Sequence, residues 1–486
     1  MAARSASRPR ANDPASALKR ALGDCVSTDP DDRYAASFDG MKLAYAQPEA
    51  VVRPTREEQV GILLELANTH QVPVTTRGAG SSLTGAATPS RAGWVLDLTR
   101  LNRIRIDADA RFAHVQAGAI NGKVQAAAAR HGLMYPPDPS SRDYCTIGGN
   151  IACNAGGLRG AKYGVTRDYV VALRGYLPTG EAVQFGRPLR KWAAGYNLRD
   201  LWIGSEGMLG IVTGATLKLV PAPETTWTAL AAFPTEREAL EAVLDLNQQR
   251  RITPAILEFL DVASVSGAER FMGQTLFPKH PGSSLVLIEL DGPRHQVEAE
   301  KQVVRAWARE SALGFRQAKD AEDREQLWAV RRKCSPAMFE LGDSKLNQDV
   351  TVPLKQMPQL VAFAGKLRKK YQLSVAVFGH AGDGNLHTNI MYHRADDRER
   401  AVAHEAVFAL MERVVALGGT ISGEHGIGLA KSSFLSIQFS DTEIAAMKAI
   451  KKALDPANIL NPDKLFSPVP VWEQTPEAVK LPWDHR

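Results

Sequence analysis

The sequence predicts an α+β protein built in two unlike halves. Glycine-punctuated short strands fill the first half, and Pro221-Ala222-Pro223 marks a shift in composition that reads as a linker. Beyond it, strands and amphipathic helices alternate in the manner of an antiparallel sheet with helices on it. At 486 residues the chain has room for two or three domains with large cores.

In chain order, residues 1–45 read as a tail followed by a short helix near Ala15–Leu22. Arg56–His70 has helical spacing, with Val60, Leu63, Leu64 and Ala67 on one side. Val72–Thr76 reads as a strand running into Arg77-Gly78-Ala79-Gly80-Ser81-Ser82-Leu83-Thr84-Gly85. Trp94–Leu98 and Phe112–Gln116 are short strands, Asn121–His131 an alanine-rich helix, and Pro136–Gly164 a second glycine-dense region. Val170–Leu177 and Glu181–Phe185 form a hairpin around Pro178-Thr179-Gly180, and Leu201–Val220 reads as glycine-punctuated strand. After the linker come strands at Thr226–Phe233, Ala255–Phe259 and Ser284–Leu290, and helices at Glu236–Arg250 and Gln296–Leu313. A strand precedes Pro353, helices cover Met357–Tyr371 and Ala401–Leu417, and the tail after Gly428 is helical to Leu454.

Composition narrows the function classes. The chain is 44% hydrophobic and 23% charged, which is globular rather than disordered. A net charge of +6, with basic residues scattered, is no nucleic-acid signature. Short clusters such as Arg331-Arg332-Lys333 read as solvated faces. Cys25, Cys145, Cys153 and Cys334 form no CxxC pattern, which argues against a disulfide framework or an iron–sulfur cluster in this chain and fits a reducing cytoplasm. No run of eighteen apolar residues is present, and Met1–Arg10, with Arg4, Arg8 and Arg10 but no apolar segment, is not a secretory signal.

The densest chemistry lies in Val375–Tyr392, where His380 and His387 flank a turn of Gly382, Asp383, Gly384 and Asn385 between two strand-like runs. Pairing as a hairpin with a six-residue loop sets the two histidines opposite each other, with β-carbons about 4.5–5.5 Å apart, close enough to share a metal ion. Asn389 falls on the face of His387. Downstream, Gly423-Glu424-His425-Gly426 adds a carboxylate, completing a set of two histidines and one acid suited to a catalytic divalent metal, and leaves His425 for proton transfer. The bland alternative is a surface hairpin with two incidental histidines.

The glycine-rich segments suit a nucleotide. The loop after Val72–Thr76 can aim backbone N–H groups and serine hydroxyls at a diphosphate, although it is neither a Rossmann nor a Walker motif. In Pro137–Gly157, small residues interleaved with Asn150 and Asn154 let backbone approach a flat ligand closely. A metal-dependent hydrolase, or a non-catalytic nucleotide-binding subunit, is the reading of another class that these features allow.

The segments PVTTRGAGSSLTG, PPDPSS, TIGGNIACNAGG, KYGVTRD and GSEGMLGIVT together resemble the FAD-binding (PCMH-type) domain of the vanillyl-alcohol oxidase-like superfamily. GHAGDGNLH with SGEHGIG resembles the C-terminal domain of its FAD-linked 2-hydroxy-acid dehydrogenases, the group of D-lactate dehydrogenase, D-2-hydroxyglutarate dehydrogenase and the FAD subunit of glycolate oxidase. The resemblance covers roughly residues 40–467 and implies a two-subdomain FAD-binding domain at 46–223 and an antiparallel α+β cap, or substrate, domain at 224–428. It also implies a C-terminal helical segment, 429–486, returning to the flavin. The implied FAD contacts are Arg77, Gly78, Ala79, Gly80, Ser81, Ser82, Gly85, Pro137, Asp138, Ser140, Ser141, Gly148, Gly149, Asn154, Gly157, Gly207, Ile211 and Asn461. Ser81 stands where some relatives carry a flavin-linking histidine, so FAD is expected to be non-covalent.

The resemblance further implies a divalent metal, often zinc, on His380, His387 and Glu424, with His425 as general base. Arg331, Ser335 and Asn389 match substrate contacts; a further position aligns near Lys345 or Asn347. The implied reaction is oxidation of a D-2-hydroxy acid of the lactate or glycolate class, or else 2-hydroxyglutarate, with hydride passing to the flavin. Without cluster cysteines, electrons leave through an acceptor protein, a quinone or a separate iron–sulfur subunit, which can also attach the chain peripherally to a membrane. A homodimer is expected.

Overall fold

The computed structural model describes residues 13–189, 191–469, 479 and 481; the arginine-bearing segment Met1–Arg10 lies outside them. Among the described residues, three large sheets, beside a two-stranded pairing of Leu133–Met134 with Val220–Pro221, organise the fold. The first has four strands in the order Val26–Ser27, Ala50–Val52, Trp94–Asp97, Val74–Arg77, the last three parallel. Glu58–His70 covers it because Val60, Leu63, Leu64 and Ala67 recur at helical spacing and are all fully buried. Ile459 and Leu460, from the far end of the chain, complete that core.

The second sheet is antiparallel, in the order Ile104–Asp107, Phe112–Gln116, Ile211–Lys218, Val170–Tyr176, Ala182–Gly186. The third has seven antiparallel strands, in the order Gly314–Gln317, Thr225–Phe233, Ser284–Gly292, Ile256–Leu260, Ser374–His380, Asn385–Tyr392, Ser344–Thr351. Helices Glu236–Leu244, Arg294–Ser311, Met357–Tyr371 and Asp397–Ala416 cover one face of it, and Val262–Met272 and Ala321–Ala337 the other. Burial on both faces explains the largely apolar run of Ser284–Gly292; every residue of it and of Asn385–Tyr392 is buried, so the polar side chains of the latter strand sit inside the domain.

Where the expected elements differ, the backbone gives the reason. Leu201–Val220 is not one strand. Leu198–Trp202 is a helical turn, and positive φ at Gly204, Glu206 and Gly207 (83°, 52° and 71°) breaks the pleat until Ile211. The helix expected over Glu236–Arg250 ends at Leu244 in a π turn, Asp245–Gln249. The tail after Gly428 makes two short turns before Asp441–Leu454, which starts at a reciprocal Ser440–Glu443 capping box. Ile147–Cys153, inside the second glycine-dense region, is a helix; the Thr146 hydroxyl caps it by accepting from Gly149 N at 3.3 Å. Arg331 is not a solvated charge: its side chain is only 13% exposed.

The two halves are tied together. Lys162 Nζ donates to Asp291 Oδ1 at 2.6 Å, and the Tyr163 hydroxyl reaches both Asp291 carboxylate oxygens at 2.9 Å. Beyond Leu454 the chain returns to the first sheet, where Asn461 N donates to Val74 O at 2.9 Å.

Candidate functional site

A groove runs between the first two sheets. Arg77, Gly78, Ala79, Gly80, Ser81, Ser82, Ser140, Ser141, Gly148, Gly149, Gly207 and Ile211 all line it, as do Thr146, Glu206, Glu424 and His425. Its walls need glycine. A Cβ on Gly78 would sit 2.0 Å from Thr146 Oγ1, and one on Gly148 2.8 Å from the Ala117 Cβ. Gly80, at φ 74°, folds the loop over the half-buried Arg77 guanidinium, which donates to Phe38 O at 2.8 Å and Ala36 O at 3.1 Å.

The other residues expected at the cofactor stand behind the groove and brace it. Asp138 is held by Arg142 Nη1 at 3.0 and 3.1 Å, and the carbonyl of Pro137 accepts from Asn121 and Gln125. Asn154 ends the Ile147–Cys153 helix in the left-handed conformation and accepts from Arg167 N at 2.9 Å. Gly157 backs onto the Asp138 carbonyl, and Gly85 onto Met41 and Leu429. Asn461 accepts from Thr76 N at 3.2 Å and donates to Glu206 O at 2.6 Å.

The histidine hairpin forms, with a register unlike the expected one. Its loop is four residues, Ala381 to Gly384, so His380 faces Asn385 while His387 faces Phe378. The two histidines are diagonal neighbours on one face, within reach of long side chains, and their ring centroids lie 5.4 Å apart. Glu424 Oε1 lies 3.7 Å from Nε2 of both His380 and His387, and 3.8 Å from Nε2 of His425. Ligand atoms of His380, His387 and Glu424 all fall within 4.8 Å of one another. The His425 ring stacks on His387 at 5.5 Å.

Two buried acids that the sequence reading missed organise this cluster. Glu258, in the strand Ile256–Leu260, accepts from His380 Nδ1 at 2.5 Å and from Arg331 Nε. Burial pushes the Glu258 carboxyl up, but Arg331 and His380 outweigh it and hold the group at about 2. Burial works against charge on His380 as well, yet Glu258 and Glu424 raise it well above the usual histidine range. His387 is driven the other way, to about 3, by burial and by the neighbouring His380. Asp349 is the second acid: its Oδ2 accepts from the backbone N–H of Gly423, Glu424 and His425 at 3.0, 2.9 and 2.9 Å. Asn385 donates to its Oδ1 at 2.6 Å. A carboxylate ringed by donors, near His425 and Lys431, lies well below the ordinary range despite its burial.

A charged residue inside an apolar strand, as in Ile256-Leu257-Glu258-Phe259-Leu260, is the signal that could have found Glu258.

Of the remaining expected site residues, Arg331 meets this cluster through Glu258 and Asn389 through His387. The Arg331 guanidinium lies 5.0 Å over the Phe378 ring. Lys345 Nζ donates to Ser335 Oγ at 2.9 Å, and burial lowers its pKa to about 8. Asn389 is fully buried, accepts from Asn347 Nδ2 at 3.0 Å and donates to His387 O at 3.1 Å.

The donor set fits a divalent metal. Two imidazoles and a carboxylate suit zinc, and the Nδ1 of His387 is buried without a partner among the described residues. His380 already gives its other ring nitrogen to a carboxylate, the arrangement that orients metal-bound histidines.

Fold and groove together define a flavoenzyme, and the chain belongs to the FAD-linked oxidases. Residues 48–186 match the family of FAD binding domains, and residues 222–465 that of FAD linked oxidases, C-terminal domain. FAD is therefore the cofactor the groove is built for.

Among particular relatives, the glycolate oxidase subunit GlcD of Bacillus subtilis (strain 168) is 39% identical, over 90% of this chain and 92% of its own. The D-lactate dehydrogenase of Anaerostipes hadrus is 34% identical, over 86% and 90%. Among solved structures, p-cresol methylhydroxylase shares the fold, with a TM-score of 0.77 at 18% identity, covering 93% of this chain and 96% of that one.

Proposed function

We propose that the protein oxidises a D-2-hydroxy acid of the lactate or glycolate class to the 2-oxo acid. The observation that carries this reading is the shared boundary of the two sites: Glu424 and His425 belong to the histidine cluster and also line the flavin groove. When bound, FAD would accept the hydride, and a zinc-like ion on His380, His387 and Glu424 would polarise the substrate hydroxyl. The protein's own groups do the rest. His425 takes the hydroxyl proton as general base. Arg331, pre-oriented by Glu258, grips the substrate carboxylate, with Ser335 and Asn389 on the substrate side. Oxidation of D-2-hydroxyglutarate is the second reading, favoured by Lys345, a spare cation beside Ser335 for a second carboxylate.

Among the described residues no helix is long and apolar enough to cross a membrane. We infer a cytoplasmic homodimer with non-covalent FAD, which passes electrons to a protein or quinone acceptor. A separate iron–sulfur subunit would also supply any membrane attachment.

The test is an anaerobic absorbance titration of purified protein with D- and L-2-hydroxy acids, before and after chelator treatment. Flavin bleaching by one D acid, lost on chelation and restored by metal, is the expected outcome. Flavin that stays oxidised with every acid refutes the reading and favours a non-catalytic binding or regulatory role.

A further inference from the structure

The loop Gly423 to Gly428 carries both Glu424 and His425, and three of its six residues are glycine. Such a segment has no intrinsic reason to hold one shape. Two buried carboxylates hold it from opposite domains. On the cap side, Asp349 takes the N–H groups of Gly423, Glu424 and His425. On the flavin side, Glu206 takes the next two after Gly426: Ile427 N donates to its Oε1 and Gly428 N to its Oε2, each at 2.7 Å. The fit is tight, since a Cβ on Gly426 would stand 2.8 Å from Glu206 Oε1.

Glu206 is itself fixed in the flavin domain. It sits in the left-handed conformation at φ 52°, its N–H donates to Ala152 O at 2.8 Å, and its carbonyl accepts from Asn461 at 2.6 Å. It is 6% exposed and lines the flavin groove.

We propose that Glu206 is a positioning residue that fixes, from the flavin domain, the loop bearing Glu424 and His425, so that metal site and flavin groove share one frame. Its influence on the metal rests on the metal assignment made under the proposed function; the clasp on the loop does not.

The test uses FAD-loaded protein carrying Glu206→Gln and, separately, Glu206→Asp. The carboxamide keeps one acceptor but turns a donor toward the second N–H, and aspartate keeps the charge but falls one methylene short. Zinc affinity is read by competition with a chromogenic chelator, hydrogen exchange across residues 420–430 by mass spectrometry, and flavin content by absorbance. The expected result for Glu206→Gln is weaker zinc binding, by less than the roughly 10–100-fold that follows loss of a group bonded to a ligand itself, because Glu206 acts through the backbone of Ile427 and Gly428. Exchange at Gly423 to Gly428 should quicken while flavin content holds, and Glu206→Asp should fall between. Unchanged zinc affinity and exchange in both variants overturns the proposal. So does a uniform loss of flavin and thermal stability with no selective effect on the loop, which would make Glu206 a general structural residue. Wild-type protein that holds no zinc refutes the metal assignment and the influence on it, while hydrogen exchange still decides the clasp.

Discussion

Glu258→Gln isolates the buried charge at the centre of the cap. In the wild type this carboxylate is fully buried and serves two groups, His380 through Oε1 and Arg331 through Oε2. The carboxamide preserves shape but removes the charge and turns one acceptor into a donor. Arg331, nearly as buried, is then left without a counter-ion, and breaking a buried pair in this way costs about 3–5 kcal/mol. A second effect is separable. His380 loses the carboxylate that orients its ring, which should weaken metal binding about 10–100-fold, or about 1.4–2.8 kcal/mol. Urea denaturation of metal-free protein reads the first effect, and chelator competition the second. Removing both partners at once supplies the control. Glu258→Leu with Arg331→Met leaves no orphaned charge, so it should be more stable than either single change. A urea midpoint unmoved by Glu258→Gln, with zinc affinity within about twofold, would refute the charge-relief argument behind these values.

Three further outcomes follow from the same geometry. His425→Ala should lower turnover about 10²–10⁴-fold while FAD content stays at the wild-type level, as read by steady-state kinetics and flavin absorbance. Gly78→Ala places a Cβ 2.0 Å from Thr146 Oγ1 and should empty the groove, giving protein that purifies without the flavin band. Stability should also fall in acid. Glu258 is held at about 2 against an ordinary 4.5, so its contribution is complete above about 4.5 and drains away as pH drops toward 2. Asp349, depressed in the same direction, adds to the loss, and urea midpoints at pH 6, 4 and 3 measure both.

The elements of the cap were legible because its strands and helices carry strong, regular apolar patterns; Met357–Tyr371 was read to the residue. The clustering of His380, His387 and Glu424 was legible in residue type, but the hairpin register was not. Counting from one histidine to the next gives six intervening residues, whereas the ladder closes at His380 and Asn385. Tertiary partners were the larger gap. Glu258, Asp349 and Glu206 lie 122, 75 and 221 residues from the groups they serve (His380, Glu424 and Ile427), and no local period records such a pairing. The helix Ile147–Cys153 was hidden for a different reason: Gly148 and Gly149 lower its propensity, and packing against Ala117 supplies what propensity lacks.

Ile459, Leu460 and Asn461 complete a sheet whose strands were synthesised some four hundred residues earlier, with Leu460 bridged to Val74. The cap is thus an insertion within the flavin domain rather than an appendage after it. On the ribosome, the cofactor's binding half stays unfinished until Asn461 has emerged, so flavin capture follows synthesis of the whole cap. Cutting the gene at Pro221–Pro223 would yield a fragment missing its own last core residues, not a portable flavin module. A nonsense mutation upstream of Ile459 would take these core residues from the flavin half along with the tail.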